Sequence, residues 1–221
     1  MIVKKIKKIV GILMLSCAIL VSEKACVFVV YACAAAIHEL GHIVAACVLG
    51  IKIKDISFDY SGLRISIDER LTSYRDEIWL AAAGPMSNFI SAFILIAFVK
   101  VSGREVPTIF EAALNFLENG ALSVDGVCAF FVTASCVQAV INLLPIKTFD
   151  GGRILYCIMA QIFDETVSNT VVSITSGFFA FVLWTISLYL MLRISSGLGI
   201  YIFSASIFAT ILVNEKVFCN K

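Results

Sequence analysis

Long apolar stretches along the chain are separated by short polar segments. A helix that crosses a bilayer needs about 20 mainly apolar residues; five stretches fit this requirement well, and a sixth near the N-terminus is shorter. The predicted spans cover residues 9–21, 26–49, 78–101, 124–146, 171–192 and 197–213. The pattern therefore predicts an all-α polytopic membrane protein with six transmembrane helices in a single domain over residues 1–221.

The polar loop after the 26–49 span has a different period. Apolar and polar residues alternate between Ile51 and Ile67, and Ser61-Gly62 interrupts the alternation. A period of two is typical of β-strands, and a glycine between two such runs indicates a turn. We therefore predict a small β-hairpin at the membrane surface, with strand edges that an unwound substrate segment would pair with.

The composition supports a membrane location. Hydrophobic residues make up 60% of the chain, charged residues only 15%, and the mean hydropathy is +0.98, whereas soluble domains contain about 45–50% apolar residues. The lipid bilayer is therefore the expected surrounding. The net charge of +1 shows no basic excess, so we expect no nucleic-acid partner.

The positive charges predict an orientation. Four lysines precede the first predicted span, at Lys4, Lys5, Lys7 and Lys8, and cytoplasmic segments carry the excess of Lys and Arg. No cleavage pattern follows the first apolar run, so we interpret it as an uncleaved span. An even number of spans then places both termini in the cytoplasm, with the protein in a cytoplasmic-type membrane.

The 26–49 span contains the sequence His38-Glu39-Leu40-Gly41-His42, which has the form HExxH. Two histidines four residues apart lie on one helical face and can bind one zinc ion. Glu39 lies close enough to exchange a proton with water at that ion. Ionisable groups are costly at mid-bilayer depth, about 2.5–3.5 kcal/mol each, and a bound metal ion provides a reason for them.

A third metal ligand has to come from elsewhere in the chain. Catalytic zinc usually has three protein ligands and an open position, and the chain has only two histidines. A carboxylate is the better choice, with a thiolate less favoured. The best candidate is Asp150, because Pro145, Gly151 and Gly152 interrupt an apolar region there, and irregular backbone at membrane depth is typical of a water-filled site.

These motifs in combination resemble the site-2 protease family of intramembrane zinc metalloproteases. The resemblance rests on HELGH, on Gly84-Pro85-Met86-Ser87-Asn88 in the next span, and on the Asn142–Pro145 segment (NLLP) followed by Asp-Gly-Gly from Asp150. It covers residues 1–213, and the compact arrangement is most similar to the stage IV sporulation protein FB type. Members of that branch cut the membrane-associated pro-sequence of a sporulation sigma factor.

The resemblance implies roles for individual residues. It implies one zinc ion per chain, bound by His38, His42 and Asp150, with Glu39 as the catalytic acid and base. Asn142, and less specifically Asn88, would contact substrate or the developing oxyanion. The partners it implies are a membrane-spanning or membrane-associated protein substrate and an inhibitory membrane partner.

Two features depart from the family pattern, and other functions compete. Phe149 precedes the aspartate where the family more often has Leu or Met, and neither a PDZ nor a CBS domain is predicted in this sequence. The alternatives are a membrane metal transporter or a non-catalytic metal-binding protein, neither of which needs Glu39. A bis-histidine haem helix is less favoured than either, because two histidines one turn apart on one helix cannot occupy opposite faces of one iron.

Overall fold

A computed structural model describes residues 25–51, 53–59, 62–67, 73–103 and 124–193. Over these residues the chain forms five helices and two strands. In chain order they are α1 (Ala25–Val48), β1 (Ile53–Asp59), β2 (Gly62–Ile67), α2 (Tyr74–Val101), α3 (Val124–Asn142), α4 (Asp150–Ala160) and α5 (Glu165–Arg193).

The end of α1 is a glycine turn. Gly50 has φ 67°, a left-handed conformation that glycine adopts without steric cost and that commonly ends helices. The amide of Ile51 donates to the carbonyl of Ala46 at 2.9 Å. Ile51 also packs with the buried residues Ala46 and Leu80, so the turn anchors the end of α1 against α2.

The strands that follow α1 pair with each other antiparallel. The register joins Ile56 to Ile65 and Asp59 to Gly62, with an irregularity between Ile53 and Asp55. Ile51 lies outside both strands. The two strands form a separate two-stranded sheet between α1 and α2.

The start of α2 is capped by side chains. The hydroxyl of Ser73 accepts from the amide of Asp76 at 3.2 Å, and the Asp76 carboxylate accepts from the amide of Ser73 at 3.2 Å. This reciprocal capping box satisfies two amides that the helix leaves unpaired. From this start α2 runs for 28 residues and includes Pro85, which removes one helical hydrogen bond in its middle.

The turn between α3 and α4 depends on two glycines. A Cβ atom added at Gly151 would collide with the carbonyl of Leu143, and one added at Gly152 would collide with the carbonyl of Ile146. Only glycine therefore lets the first turn of α4 pack against the preceding segment. This packing places Asp150 at the start of α4.

The second transmembrane helix of the described region, α2, is central. It packs against α1, α3 and α4. The clusters between helices use small residues: Ala34 of α1 and Ala134 of α3 pack with Val30 and Phe130. Small side chains let membrane helices approach closely, so α1 and α3 lie near each other beside α2.

The expected bundle of six transmembrane helices is corrected by this structure. Of the five helices in the described residues, four are long and apolar enough to span a membrane. The fifth, α4, has 11 residues, or about 16 Å of length, and lies where the sequence predicted only a break. The predicted spans 9–21 and 197–213 lie outside the described residues, and both are shorter than the usual length for a span.

Candidate metal centre

The two histidines of the HExxH sequence share the inner face of α1. His38 is 4% exposed, whereas Leu40, two residues further on, is 54% exposed. The imidazole rings of His38 and His42 lie edge to face, with centroids 4.9 Å apart. One turn of α1 therefore places both imidazole rings on the buried face of the helix, while Leu40 lies on its exposed face.

Asp150 lies beside the two histidines although it is 112 positions away from His38 in the sequence. Its Oδ2 lies 3.0 Å from Nε2 of His38 and 3.4 Å from Nε2 of His42. As the first residue of α4, it also lies at the positive end of that helix dipole, which favours a carboxylate.

The three donor atoms form a compact triangle. The distances are 3.0 Å and 3.4 Å from Asp150 to the two histidines, and 3.3 Å between the two Nε2 atoms. Ligand atoms of a tetrahedral zinc ion are about 3.3–3.6 Å apart when each lies about 2.0–2.2 Å from the metal. Two imidazoles and one carboxylate are also a usual donor set for catalytic zinc. Two edges of the triangle lie within this range and the third, at 3.0 Å, is slightly shorter. The triangle is therefore close to three corners of a tetrahedral site, and the group could hold a metal ion.

A backbone carbonyl sets the orientation of His42. Nδ1 of His42 donates to the carbonyl oxygen of Leu80 in α2 at 2.8 Å. A neutral imidazole that donates from Nδ1 keeps a lone pair on Nε2. Nε2 is the atom of His42 that faces His38 and Asp150, so α2 holds this ring in the form that binds a metal.

Asn88 lies behind the other histidine. It is fully buried in α2, and its Nδ2 is 3.4 Å from Nδ1 of His38. The structure thus brings Asn88 next to His38, on the side of the ring opposite the donor triangle.

The sequence reasoning assigned no site role to Gly84, which closes the metal centre on the α2 side. A Cβ atom at this position would lie 2.6 Å from Cε1 of His42 and 2.7 Å from Nε2 of His38. Gly41 similarly faces Ala83 and Ser87 across the helix contact, where a Cβ atom would be 2.6 Å from the Ala83 carbonyl oxygen. The available signal was the presence of glycines within two adjacent spans, which is typical of close helix packing but does not identify a ligand site.

The other two predicted site residues, Glu39 and Asn142, are not members of the donor triangle. Glu39 is half-buried, and its carboxylate is close enough for electrostatic interaction with His38, His42 and Asp150. Asn142 is half-buried and ends α3, immediately before the turn that leads to Asp150. Glu39 therefore lies within electrostatic range of the donor triangle, and Asn142 precedes the segment that leads to the third member of the triangle.

Together, the fold and the donor triangle define a class. Four apolar helices of the described residues are long enough to span a membrane. Among the helices lies a His-His-Asp group in which His38 is buried and the other two members are half-buried. The chain is thus a multi-pass integral membrane protein with a candidate metal centre built around HExxH.

Comparison with known proteins identifies the family. The profile of peptidase family M50 matches residues 26–186, which contain the donor triangle and Glu39. The chain therefore belongs to peptidase family M50, a family of zinc metalloproteases of the site-2 type. As an intramembrane metalloprotease it works on membrane substrates within the lipid bilayer.

A solved structure has a similar fold. The site-2 protease from Methanocaldococcus jannaschii matches with a TM-score of 0.64 at 19% sequence identity, and the match covers 96% of this chain and 91% of that one. At this identity the likeness concerns the fold. No curated protein matches the sequence.

Proposed function

We propose that the protein is a zinc endopeptidase that hydrolyses a peptide bond in or near a membrane-embedded segment of a substrate protein. In this proposal His38, His42 and Asp150 hold one zinc ion and Glu39 is the catalytic acid and base. The observation that carries the proposal is the donor triangle, with edges of 3.0, 3.3 and 3.4 Å.

The proposed chemistry assigns a proton-transfer role to Glu39. Bound zinc supplies a lowered pKa for water and polarisation of a carbonyl group. Glu39 follows His38 directly in α1 and interacts electrostatically with the three proposed ligands. From there its carboxylate takes the proton of the attacking water and then delivers it to the leaving amine. Asn142 is proposed to contact substrate or the developing oxyanion. The same contact is not proposed for Asn88, because Asn88 is fully buried and faces Nδ1 of His38, on the side of the ring opposite the donor triangle.

Water has to reach this site inside the membrane. His42 lies six residues before the end of α1 at Val48, which corresponds to about 9 Å along the helix axis. We propose that this end faces the cytoplasm, that the protein lies in a cytoplasmic membrane and that both termini are cytoplasmic, as the lysines at positions 4, 5, 7 and 8 favour. The orientation is tested by adding protease to sealed inside-out vesicles, whose cytoplasmic face is exposed to the protease. Both terminal tags should be digested, and a tag that stays protected would contradict the proposed orientation.

The substrate proposal is narrower. The motif set most resembles the stage IV sporulation protein FB type, so we propose the membrane-associated pro-sequence of a sporulation sigma factor as substrate, with an inhibitory membrane partner as regulator. Co-expression with a tagged pro-protein of this kind should yield a shortened product. An unchanged pro-protein, alongside cleavage of another membrane-tethered reporter, would contradict the sigma-factor proposal and leave the protease standing.

The metal and the catalysis are tested separately. Zinc per chain is measured in detergent-purified wild type, His42→Ala and Asp150→Ala, and we expect about one zinc ion in wild type and loss in both variants. Glu39→Gln should keep its zinc and lose hydrolysis, because the amide cannot accept the proton. Wild-type protein that takes up no zinc, or a Glu39→Gln variant that still cleaves, would refute the proposal. The Glu39→Gln result also separates a protease from a metal transporter, whose ligands would be unaffected.

A further inference from the structure

The amide of Asn88 has one partner and one atom without a partner. Asn88 is fully buried, with Nδ2 at 3.4 Å from Nδ1 of His38. Within the described part of the chain, its Oδ1 is buried and has no hydrogen-bond partner. Buried polar atoms are nearly always hydrogen-bonded, so an unpaired amide oxygen beside a metal-ligand candidate requires an explanation.

Two forms of His38 make opposite demands on Asn88. In this structure Nε2 of His38 is 3.0 Å from Oδ2 of Asp150. If Nε2 carries the hydrogen and donates it to Asp150, Nδ1 has a lone pair and accepts from Nδ2 of Asn88. If Nε2 instead offers its lone pair to a metal, the hydrogen lies on Nδ1 and would meet the amide hydrogens of Asn88. The second form needs an acceptor at that place.

An asparagine can serve both forms. The oxygen and nitrogen of a side-chain amide are nearly equal in size, so a half-turn exchanges acceptor and donor without changing the space occupied. After that turn Oδ1 would accept from the Nδ1 hydrogen of His38. A neighbour that accepts this hydrogen fixes the tautomer of a metal-bound histidine and raises its basicity as a ligand.

The two histidines differ in this respect. The Nδ1 of His42 already donates to the Leu80 carbonyl at 2.8 Å, and a backbone carbonyl cannot exchange acceptor for donor. The tautomer of His42 is therefore set by the fold before any metal arrives. The tautomer of His38 depends on Asp150 at Nε2 and, at Nδ1, on the only partner that the structure gives this atom among the described residues, the amide of Asn88.

We propose that Asn88 is a positioning residue whose amide turns when the metal binds, so that Oδ1 accepts from Nδ1 of His38 and Nε2 is held as a ligand. The inference rests on the metal site proposed above. It gives Asn88 a role through His38 that requires no contact with substrate.

Two substitutions at this position separate hydrogen bonding from packing. Asn88→Leu preserves the approximate size but cannot accept a hydrogen bond, whereas Asn88→Asp keeps an acceptor oxygen at the same distance along the side chain. Asn169→Leu is the matched control, because it makes the same chemical change on α5, where the Asn169 amide donates to the Glu165 carbonyl. The zinc dissociation constant of each purified protein is measured by competition with a chromogenic chelator.

We expect Asn88→Leu to bind zinc about 10–100-fold more weakly, the usual effect of removing the neighbour of a ligand. Asn88→Asp should bind zinc at least as tightly as wild type, and Asn169→Leu should be unchanged. Wild-type affinity in Asn88→Leu, or equal weakening in Asn88→Asp, overturns the inference. Wild type that binds no zinc overturns the metal site as well, so the two failures are distinguishable.

The tautomer gives a second measurement. The chain has only two histidines, so ¹⁵N-histidine labelling gives four ring-nitrogen signals in all. In zinc-free Asn88→Asp the new carboxylate should place a hydrogen on Nδ1 of His38, whereas in zinc-free wild type Nδ1 should be an acceptor. The same Nδ1 signal in both proteins would overturn the inference.

Discussion

Gly84 of α2 offers the sharpest test of the metal centre, because the space for its missing side chain is occupied by the two histidines. A Cβ atom at this position would lie 2.6 Å from Cε1 of His42 and 2.7 Å from Nε2 of His38. In Gly84→Ala these two atoms would have to retreat by about 0.7–0.8 Å to reach ordinary contact distance. The proposed ligand atom Nε2 of His42 lies closer still to the added Cβ atom and would have to move further.

The size of this displacement predicts the loss. A shift of about 0.7–0.8 Å is a third or more of a zinc–nitrogen bond length of about 2.0–2.1 Å. The backbone of α2 resists a compensating movement, because it also holds Nδ1 of His42 through the Leu80 carbonyl. We expect Gly84→Ala to weaken zinc binding by about 10–100-fold, comparable to other losses of ligand positioning and equivalent to about 1.4–2.8 kcal/mol.

The assay is the zinc dissociation constant of purified protein, with Gly177→Ala as the control. Gly177 lies in α5, and a Cβ atom there would meet nothing within 4 Å. Alanine in a helix is favoured over glycine by about 0.5–1 kcal/mol, so the control should keep its zinc affinity and unfold at the same or a higher temperature.

A Gly84→Ala protein with wild-type zinc affinity would refute this reasoning, since the histidines could then not lie against Gly84 as the structure has them. A variant that unfolds in detergent before zinc is added would not be informative by zinc binding alone. The thermal unfolding of the zinc-free protein is therefore measured first, and only folded variants are compared.

Three further substitutions test the surrounding structure. Gly151→Ala should displace the start of α4 through its collision with the Leu143 carbonyl and lower both bound zinc and the unfolding temperature; retention of both would contradict the packing described for this turn. Glu77→Ala removes a buried carboxylate 3.8 Å from Nε of the partly exposed Arg153 and should lower the free energy of unfolding by about 1–3 kcal/mol in a detergent unfolding titration, with zinc per chain unchanged. Ser87→Ala removes a hydroxyl that lies 2.9 Å from the Ile37 carbonyl oxygen of α1 and should cost about 0.6 kcal/mol in the same titration; a loss larger than that of Glu77→Ala would contradict this order.

The local pattern of the chain was sufficient for some features and not for others. Long apolar runs predicted four of the five described helices. They could do so because the length and hydrophobicity of a membrane span are properties of a single segment. The predicted fold class of six transmembrane helices was wrong: the described residues contain five helices, of which four are long and apolar enough to span a membrane. The fifth, α4, has only 11 residues, and apolar windows do not reveal so short a helix. Asp150 opens that helix only because Gly151 and Gly152 let the turn close against the Leu143 and Ile146 carbonyls.

The candidate site divides in the same way. The four-residue spacing of His38 and His42 placed them on one face through helix geometry alone, and valence arguments indicated a carboxylate as the third ligand. The roles of Glu39 and Asp150 stay predictions until zinc and hydrolysis are measured. The fold adds the position of Asp150. It is 112 positions from His38 in the sequence, yet its Oδ2 lies 3.0 Å from Nε2 of His38 and 3.4 Å from Nε2 of His42.

The sequence alone determined the membrane environment, the spacing of the two histidines and the type of chemistry they support, because each of these depends on composition or on residues within one helical turn. Only the tertiary structure decided what surrounds the donors: the Leu80 carbonyl behind His42, the Asn88 amide behind His38, and the absent side chain of Gly84 beneath both. These neighbours come from α2, and their positions depend on how closely two helices pack. That distance is set by small side chains at the contact, which a pattern along one chain segment does not reveal.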